Sequence, residues 1–191
     1  MGALVSSALA CGARRSELLA LRWCDVDLNE GTLTIRGALS ETRAGVVEKV
    51  TKTDKIRPIA LSPDAAEALR RQRSLQAQDR LACGGAFADS GHVFQTQMGG
   101  SERPSRATEC CRKLARQVAI PAAKMQALRH TTGSWLIASG VDPQTVASIL
   151  GHSSATVTLG VYSHLVVGMQ KAAVVRIDER LSSKAADGKG R

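Results

Sequence analysis

The sequence predicts an α+β protein, mainly α-helical, with a small antiparallel β-sheet near its N-terminal part. Three observations carry this. Residues 31–61 hold the alternating stretches "GTLTIRG", "VVEKVTK" and "KIRPIAL", which read as strands. From Pro63 onward the apolar residues recur at helical spacing, punctuated by proline and glycine. The 191 residues, 43% of them hydrophobic, suffice for one compact domain with a sizeable core.

The small apolar opening "MGALVSSALA" reads as the end of a helix, broken at Gly12. A second helix is expected from Ser16, a plausible N-cap, with Leu18, Leu19 and Leu21 as its apolar face. A chain that opens in mid-element is expected to be a fragment or a domain cut from something longer. "GTLTIRG" is the first strand, and "VVEKVTK" with "KIRPIAL" forms a β-hairpin turning at Thr53 and Asp54. Pro63 opens a long polar helix, "PDAAEALRRQRSLQAQDRLA". "SRATECCRKLARQVA" is a helix with one basic face, and "LRHTTGSWLIASG" a helix ending on Gly140. Asp142 caps the next helix with Pro143 at its first position, and Gly151 closes it. A further helix should carry Thr158 to Tyr162, and another runs from about Leu165 to Leu181. The domain is expected to span 1–181, with 182–191 a small, polar, disordered tail.

Twenty-six Lys and Arg against 17 Asp and Glu give a formal net charge of +9. That balance favours a polyanionic partner, because basic side chains release counterions on meeting phosphates. Aromatic residues make up only 3%, too few for the stacking platforms of a single-strand binder, so duplex DNA gripped through its backbone fits better. The five cysteines, Cys11, Cys24, Cys83, Cys110 and Cys111, are odd in number and form no C-x-x-C pair. They read as reduced core thiols, without a disulfide framework or zinc site. No apolar run approaches ~18 residues and the start does not resemble a signal peptide, which points to a soluble, cytoplasmic protein with no membrane partner.

"GARRSELLALRW", "TKTDKIRPIAL", "LRHTTGSWLIASGVDPQTVASILGHSS" and "TLGVYSHL" follow one another in this order, with Tyr162 ten residues after His152. Together they resemble the catalytic domain of the tyrosine recombinases, the integrases of phages and mobile elements, from about Ala8 to Leu181. The resemblance implies the catalytic-domain fold of that family and metal-independent, site-specific cleavage and rejoining of DNA, with no cofactor. Tyr162, the only tyrosine, would attack phosphorus and hold the strand as a 3′-phosphotyrosyl ester. Arg14 and Arg129 would clamp the non-bridging oxygens, which a planar guanidinium can do with two parallel hydrogen bonds. Lys52 would protonate the 5′ leaving oxygen, and His152 would hydrogen-bond the phosphate or the tyrosine. Glu17 would orient basic groups; Arg57, Lys55 and Lys124 would lie near DNA. The family normally adds an upstream DNA-clamping domain and assembles as tetramers on two duplexes, often exchanging a C-terminal segment, for which 165–181 could serve.

One position departs from the family pattern. Its second-arginine box usually reads His-x-Leu-Arg-His, and this chain reads "QALRH". Gln126 can donate and accept hydrogen bonds but exchanges no proton near neutral pH. His130 is a poor replacement, because it adjoins Arg129 and neighbouring helical residues point about 100° apart. Three alternatives therefore stay open: a catalytically impaired DNA-binding remnant, a type IB topoisomerase using a similar tyrosine constellation, and a metal nuclease built on Glu17, Asp25 and Asp27. Each residue also has a plain structural reading, with Tyr162 as a packing residue, the glycine-preceded His152 as part of a helix end, and Arg14 as a surface arginine.

Overall fold

The computed structural model describes residues 2–50, 56–120 and 124–163. In chain order these form α1 (Gly2–Cys11), α2 (Arg15–Ala20), β1 (Val26–Asp27), β2 (Thr32–Ile35), β3 (Gly37–Thr42), β4 (Gly45–Val50) and β5 (Arg57–Ala60). They continue with α3 (Pro63–Cys83), α4 (Pro104–Gln117), α5 (Met125–Ala138) and α6 (Pro143–Leu150), then a helical stretch at 155–163. The expected helix from Leu165 and the tail lie outside the described residues. The chain divides into two compact units, one reaching to Thr132 and including Ser148–Gly151, the other made of Gly133–Ala147 and the residues from His152 on.

The predicted α+β, mainly helical class holds, with antiparallel strands confined to the N-terminal part. The predicted hairpin does not. β4 pairs with β3 across a two-residue turn at Arg43 and Ala44, with Thr42 opposite Gly45. β5 pairs instead with β2, in a three-stranded sheet ordered β1-β2-β5. Two physical reasons select this register. A two-residue connection closes β3 on β4 at little entropic cost, and pairing Leu33 with Ile59 puts both on the buried face.

Ser16 is not the cap of α2 either. The helix starts one residue earlier, with Arg14 as its N-cap, and Glu17 reaches back to accept the Arg14 backbone N–H at 2.8 Å. Other caps follow the sequence: Ser62 Oγ accepts the Ala65 N–H at the start of α3, and Asp142 Oδ1 accepts those of Gln144 and Thr145 at the start of α6.

The core of the first unit joins Leu4, Ala8 and Cys11 of α1 to Leu18 and Leu19 of α2, Leu33 and Ile35 of β2, Ile59 of β5 and Leu69 of α3. Burial pushes the Cys11 thiol up to about 11, which leaves it an inert packing group. The cysteines are free, but only Cys11 and Cys111 are buried and Cys24 is exposed, so the reading of all five as core thiols is corrected. On α4 the buried Ala107, Cys111 and Ala115 recur every four residues, turning Arg106, Arg112, Lys113 and Arg116 outward as the predicted basic face. In the second unit Ile137, Val146, Ala147, Thr158 and Tyr162 are buried. Among the described residues no helix is long and apolar enough to cross a membrane.

Candidate active site

In the first unit, three arginines converge on the last turn of α6. A helix leaves its final carbonyls without intrahelical partners, and its dipole makes that end electronegative. Here Ser148 O accepts the Gly151 N–H and Ala147 O that of His152. The next three carbonyls each take a guanidinium. Arg57 Nε donates to Ile149 O at 3.1 Å, Arg129 Nη1 donates to Leu150 O, and Arg14 Nη2 donates to Gly151 O at 3.2 Å. Arg129 Nη1 also donates to Gly12 O at 2.8 Å.

Glycine is required at both turns that present these carbonyls. Gly12 and Gly151 adopt φ of +57° and +67°, and a Cβ at Gly12 would come within 2.5 Å of Leu150 Cδ2. Thr132 Oγ1 ties α5 to α1 by donating to Leu9 O, which holds the helix that carries Arg129.

Glu17 is the anionic centre of the cluster. It is buried at 3% exposure, and its two oxygens accept Arg14 Nη1 at 2.9 Å, Arg57 Nη1 at 3.3 Å and Arg57 Nη2 at 2.7 Å. Burial alone would raise the carboxyl pKa. The Arg57 hydrogen bonds and charge, with the Arg14 amide and charge, outweigh it and hold the group below its ordinary value. Arg14 keeps 48% of its side chain exposed, so it is anchored at one edge and open to a ligand at the other. Arg129 is buried apart from 8% of its surface.

The second unit contains the candidate nucleophile. Tyr162 lies on the 155–163 helix, buried at 3% exposure, and its ring rests on Gly133 of α5, where a Cβ would overlap Oη and Cζ. Two residues of the Gly-His segment to Tyr162 also meet: His152 Nδ1 and Thr158 Oγ1 are 2.8 Å apart, and Thr158 is fully buried.

The sequence-predicted residues thus fall into groups. Arg14, Glu17, Arg57 and Arg129 come together in the first unit, and His152 and Tyr162 belong to the second. Lys52 and Lys55 lie outside the described residues. The strand leading toward them is anchored at both ends of its hairpin: Glu41 accepts the Ser105 N–H and Oγ–H at the start of α4, and Glu48 pairs with Arg22 at 2.6 Å. Lys124 and Gln126 are exposed at the start of α5. Arg57, expected beside DNA, is buried with its guanidinium turned onto Glu17 and Ile149.

Sequence reasoning missed Gly133 and the partnership of Arg57 with Glu17. The acidic trio proposed for a metal is not assembled: Glu17 faces arginines, Asp25 pairs with Arg36, and Asp27 accepts the Asn29 and Glu30 amides. Among the described residues no three His, Cys, Asp or Glu are grouped to hold a metal ion.

Comparison with known proteins matches residues 2–168 to the phage integrase family. The chain is 26% identical over 190 residues to a XerC-like tyrosine recombinase of Caldanaerobacter subterraneus subsp. tengcongensis, covering 93% of this chain and 49% of that protein. It is 33% identical over 164 residues to the tyrosine recombinase XerC of Xanthomonas axonopodis pv. citri, covering 85% of this chain and 46% of that protein. The chain therefore spans about half the length of these curated relatives. Among solved structures, the Tn1549 transposon integrase in complex with transposon right end DNA superposes with a TM-score of 0.75 at 23% identity, covering 92% of this chain and 58% of that one, a likeness of fold. With every described residue inside the matched region, this protein belongs to the phage integrase family, the tyrosine recombinases.

Proposed function

We propose that this chain is the catalytic part of a site-specific recombinase that cuts and rejoins duplex DNA through Tyr162. One observation carries the reading: Arg14 and Arg129, from distant parts of the sequence, are held on the consecutive carbonyls of Leu150 and Gly151. Two guanidiniums gathered at one helix end form a ready receptor for the two non-bridging oxygens of a phosphodiester. The phosphate would take over hydrogen bonds that the carbonyls now accept.

In this mechanism Tyr162 Oη attacks phosphorus, the Oη–P bond forms, and the bond from phosphorus to the 5′ oxygen breaks. The tyrosine proton leaves to a nearby acceptor, and Lys52 gives a proton to the departing 5′ oxygen. Rejoining reverses these steps, with a 5′ hydroxyl attacking the phosphotyrosyl ester. His152, oriented by Thr158, hydrogen-bonds the phosphate. Positioning and charge carry most of phosphoryl-transfer catalysis, so these residues suffice in kind.

Duplex DNA is the partner in this reading, Lys55 and Lys124 lie along it, and the protein acts in the cytoplasm. The full-length assembly is a tetramer on two duplexes. The domain runs to about residue 181. The recombinase and integrase relatives favour this over a type IB topoisomerase.

Gln126 supports a second reading, a DNA-binding remnant that turns over negligibly. A nicked suicide duplex carrying the recognition site separates the two. Wild type should form a covalent adduct that is abolished in Tyr162→Phe, with duplex affinity preserved. Restoring the proton-exchanging group in Gln126→His should speed adduct formation, since such groups contribute ~10²–10⁴-fold. No adduct in wild type or in Gln126→His would sink the enzyme reading.

A further inference from the structure

Arg57 has all three of its guanidinium nitrogens on protein acceptors. Nη1 and Nη2 grip the two oxygens of Glu17 as a fork, and Nε donates sideways to Ile149 O. The residue is 8% exposed. Its flat face lies against Gly151, where a Cβ would stand 2.6 Å from Cζ and Nη1. Gly151 thus serves twice, as a left-handed helix stop and as the bare surface that admits this guanidinium. To reach a phosphate, Arg57 would have to abandon a buried carboxylate and an otherwise orphaned helix carbonyl, both costly to leave unpaired.

We infer that Arg57 is a positioning residue: it clamps Glu17, the anchor of Arg14, to the Ile149–Gly151 turn, which receives Arg14 and Arg129 and leads directly into His152. The inference rests on the strand-cleavage reading for its catalytic consequence. Its structural content is independent of that reading. Arg57 joins the carboxylate that orients the first arginine to the carbonyl just before the two that seat both, a span that Arg14 also makes but with a half-exposed side chain. Lysine cannot replace it, because an ammonium is a single point charge and cannot present a planar fork to Glu17 while Nε serves a carbonyl at right angles.

Arg57→Lys tests this while keeping the charge. Duplex affinity and its salt dependence should match wild type. The rate of Tyr162 adduct formation at saturating protein should fall on the order of 10–100-fold, the usual consequence of a small misplacement. In the DNA-free protein, amide hydrogen exchange across residues 148–152 should quicken, while that of β1 and β2 stays as it was. A loss of affinity with the salt slope reduced by about one would instead make Arg57 a phosphate ligand and overturn the inference. A lowered melting temperature with an unchanged adduct rate would also overturn it, by reducing Arg57 to a merely structural group. Should wild type form no adduct, the strand-cleavage reading fails by itself, and the exchange comparison still decides: unchanged protection at 148–152 refutes the clamp. If Arg57→Lys does not fold, Glu17→Gln loosens the same fork from the other side, keeps the side chain's shape, and must quicken exchange over the same residues or the inference falls.

Discussion

The two units hold their chemistry by opposite means. In the first, charge is held by charge: three guanidiniums are gathered by one buried carboxylate and the negative end of α6, which leaves the cluster net positive. In the second, Tyr162 is seated by shape. Its ring fills space left by a residue with no side chain, and the same unit holds the His152–Thr158 pair. The difference teaches what each region must survive. An electrostatic cluster can exchange its acceptors for phosphate oxygens without rearranging its frame. A tyrosine seated against a glycine depends on how closely that helix approaches its ring.

Breaking the charged frame should have the largest effect on stability. Glu17→Gln leaves Arg57 buried without a counter-charge, and removing one partner of a buried pair typically costs ~3–5 kcal/mol. Chemical denaturation at pH 7 measures this; a variant as stable as wild type would show that charge does not hold the turn. The pH dependence has a fixed sign. Because Glu17 is held below its ordinary pKa, its contribution is complete above about pH 4.3, the ordinary carboxylate value, and is lost as pH falls through the lower folded value. The gap between wild type and Glu17→Gln should therefore narrow in acid.

Breaking the packed seat should be milder. Gly133→Ala gains ~1 kcal/mol of helix propensity and incurs ~1–3 kcal/mol of overpacking against the Tyr162 ring, for a net loss on the order of 1 kcal/mol. Its sharper signature is chemical. As the chain's only tyrosine and nearly fully buried, Tyr162 should resist nitration in wild type and react readily in Gly133→Ala. Equal nitration rates in the two proteins would mean that the glycine does not seat the ring.

How much of this the sequence contained can be judged from particular residues. Proline, glycine and Asp or Ser caps act over four residues, so α3 and α6 were legible with their starts, and the ordered motifs made the family and the helical class legible too. Strand partners were not, because the alternating pattern of β4 fits β3 and β5 equally and only the closure of the core on Leu33 and Ile59 decides. Arg57 is the instructive case. Two residues after Lys55 it read as a residue lying near DNA, yet it stands two residues before Ile59, and residues of that spacing share one side of a strand. The burial pattern of β5 alternates accordingly, with Arg57 and Ile59 both inward. An inward arginine demands a carboxylate, and Glu17 was already marked as the acid that orients basic groups. Gly133 carried no such signal, since a helical glycine reveals its use only when the ring above it is in place.

The smallest expected effect isolates the polar contact of the second unit. Thr158→Val keeps the buried volume and removes the hydroxyl that faces His152 Nδ1. A single neutral hydrogen bond is worth ~0.5–1.5 kcal/mol, so stability should drop by about 1 kcal/mol, well below Glu17→Gln and no more than in Gly133→Ala. Its effect on cleavage should exceed its effect on stability. A hydroxyl on Nδ1 helps set the tautomer and the direction of the ring, and its loss should loosen that orientation. The adduct rate on the suicide duplex should then fall about tenfold while duplex affinity holds. If rate and stability fall in the same proportion, Thr158 is only part of the packing, and His152 must be oriented from elsewhere.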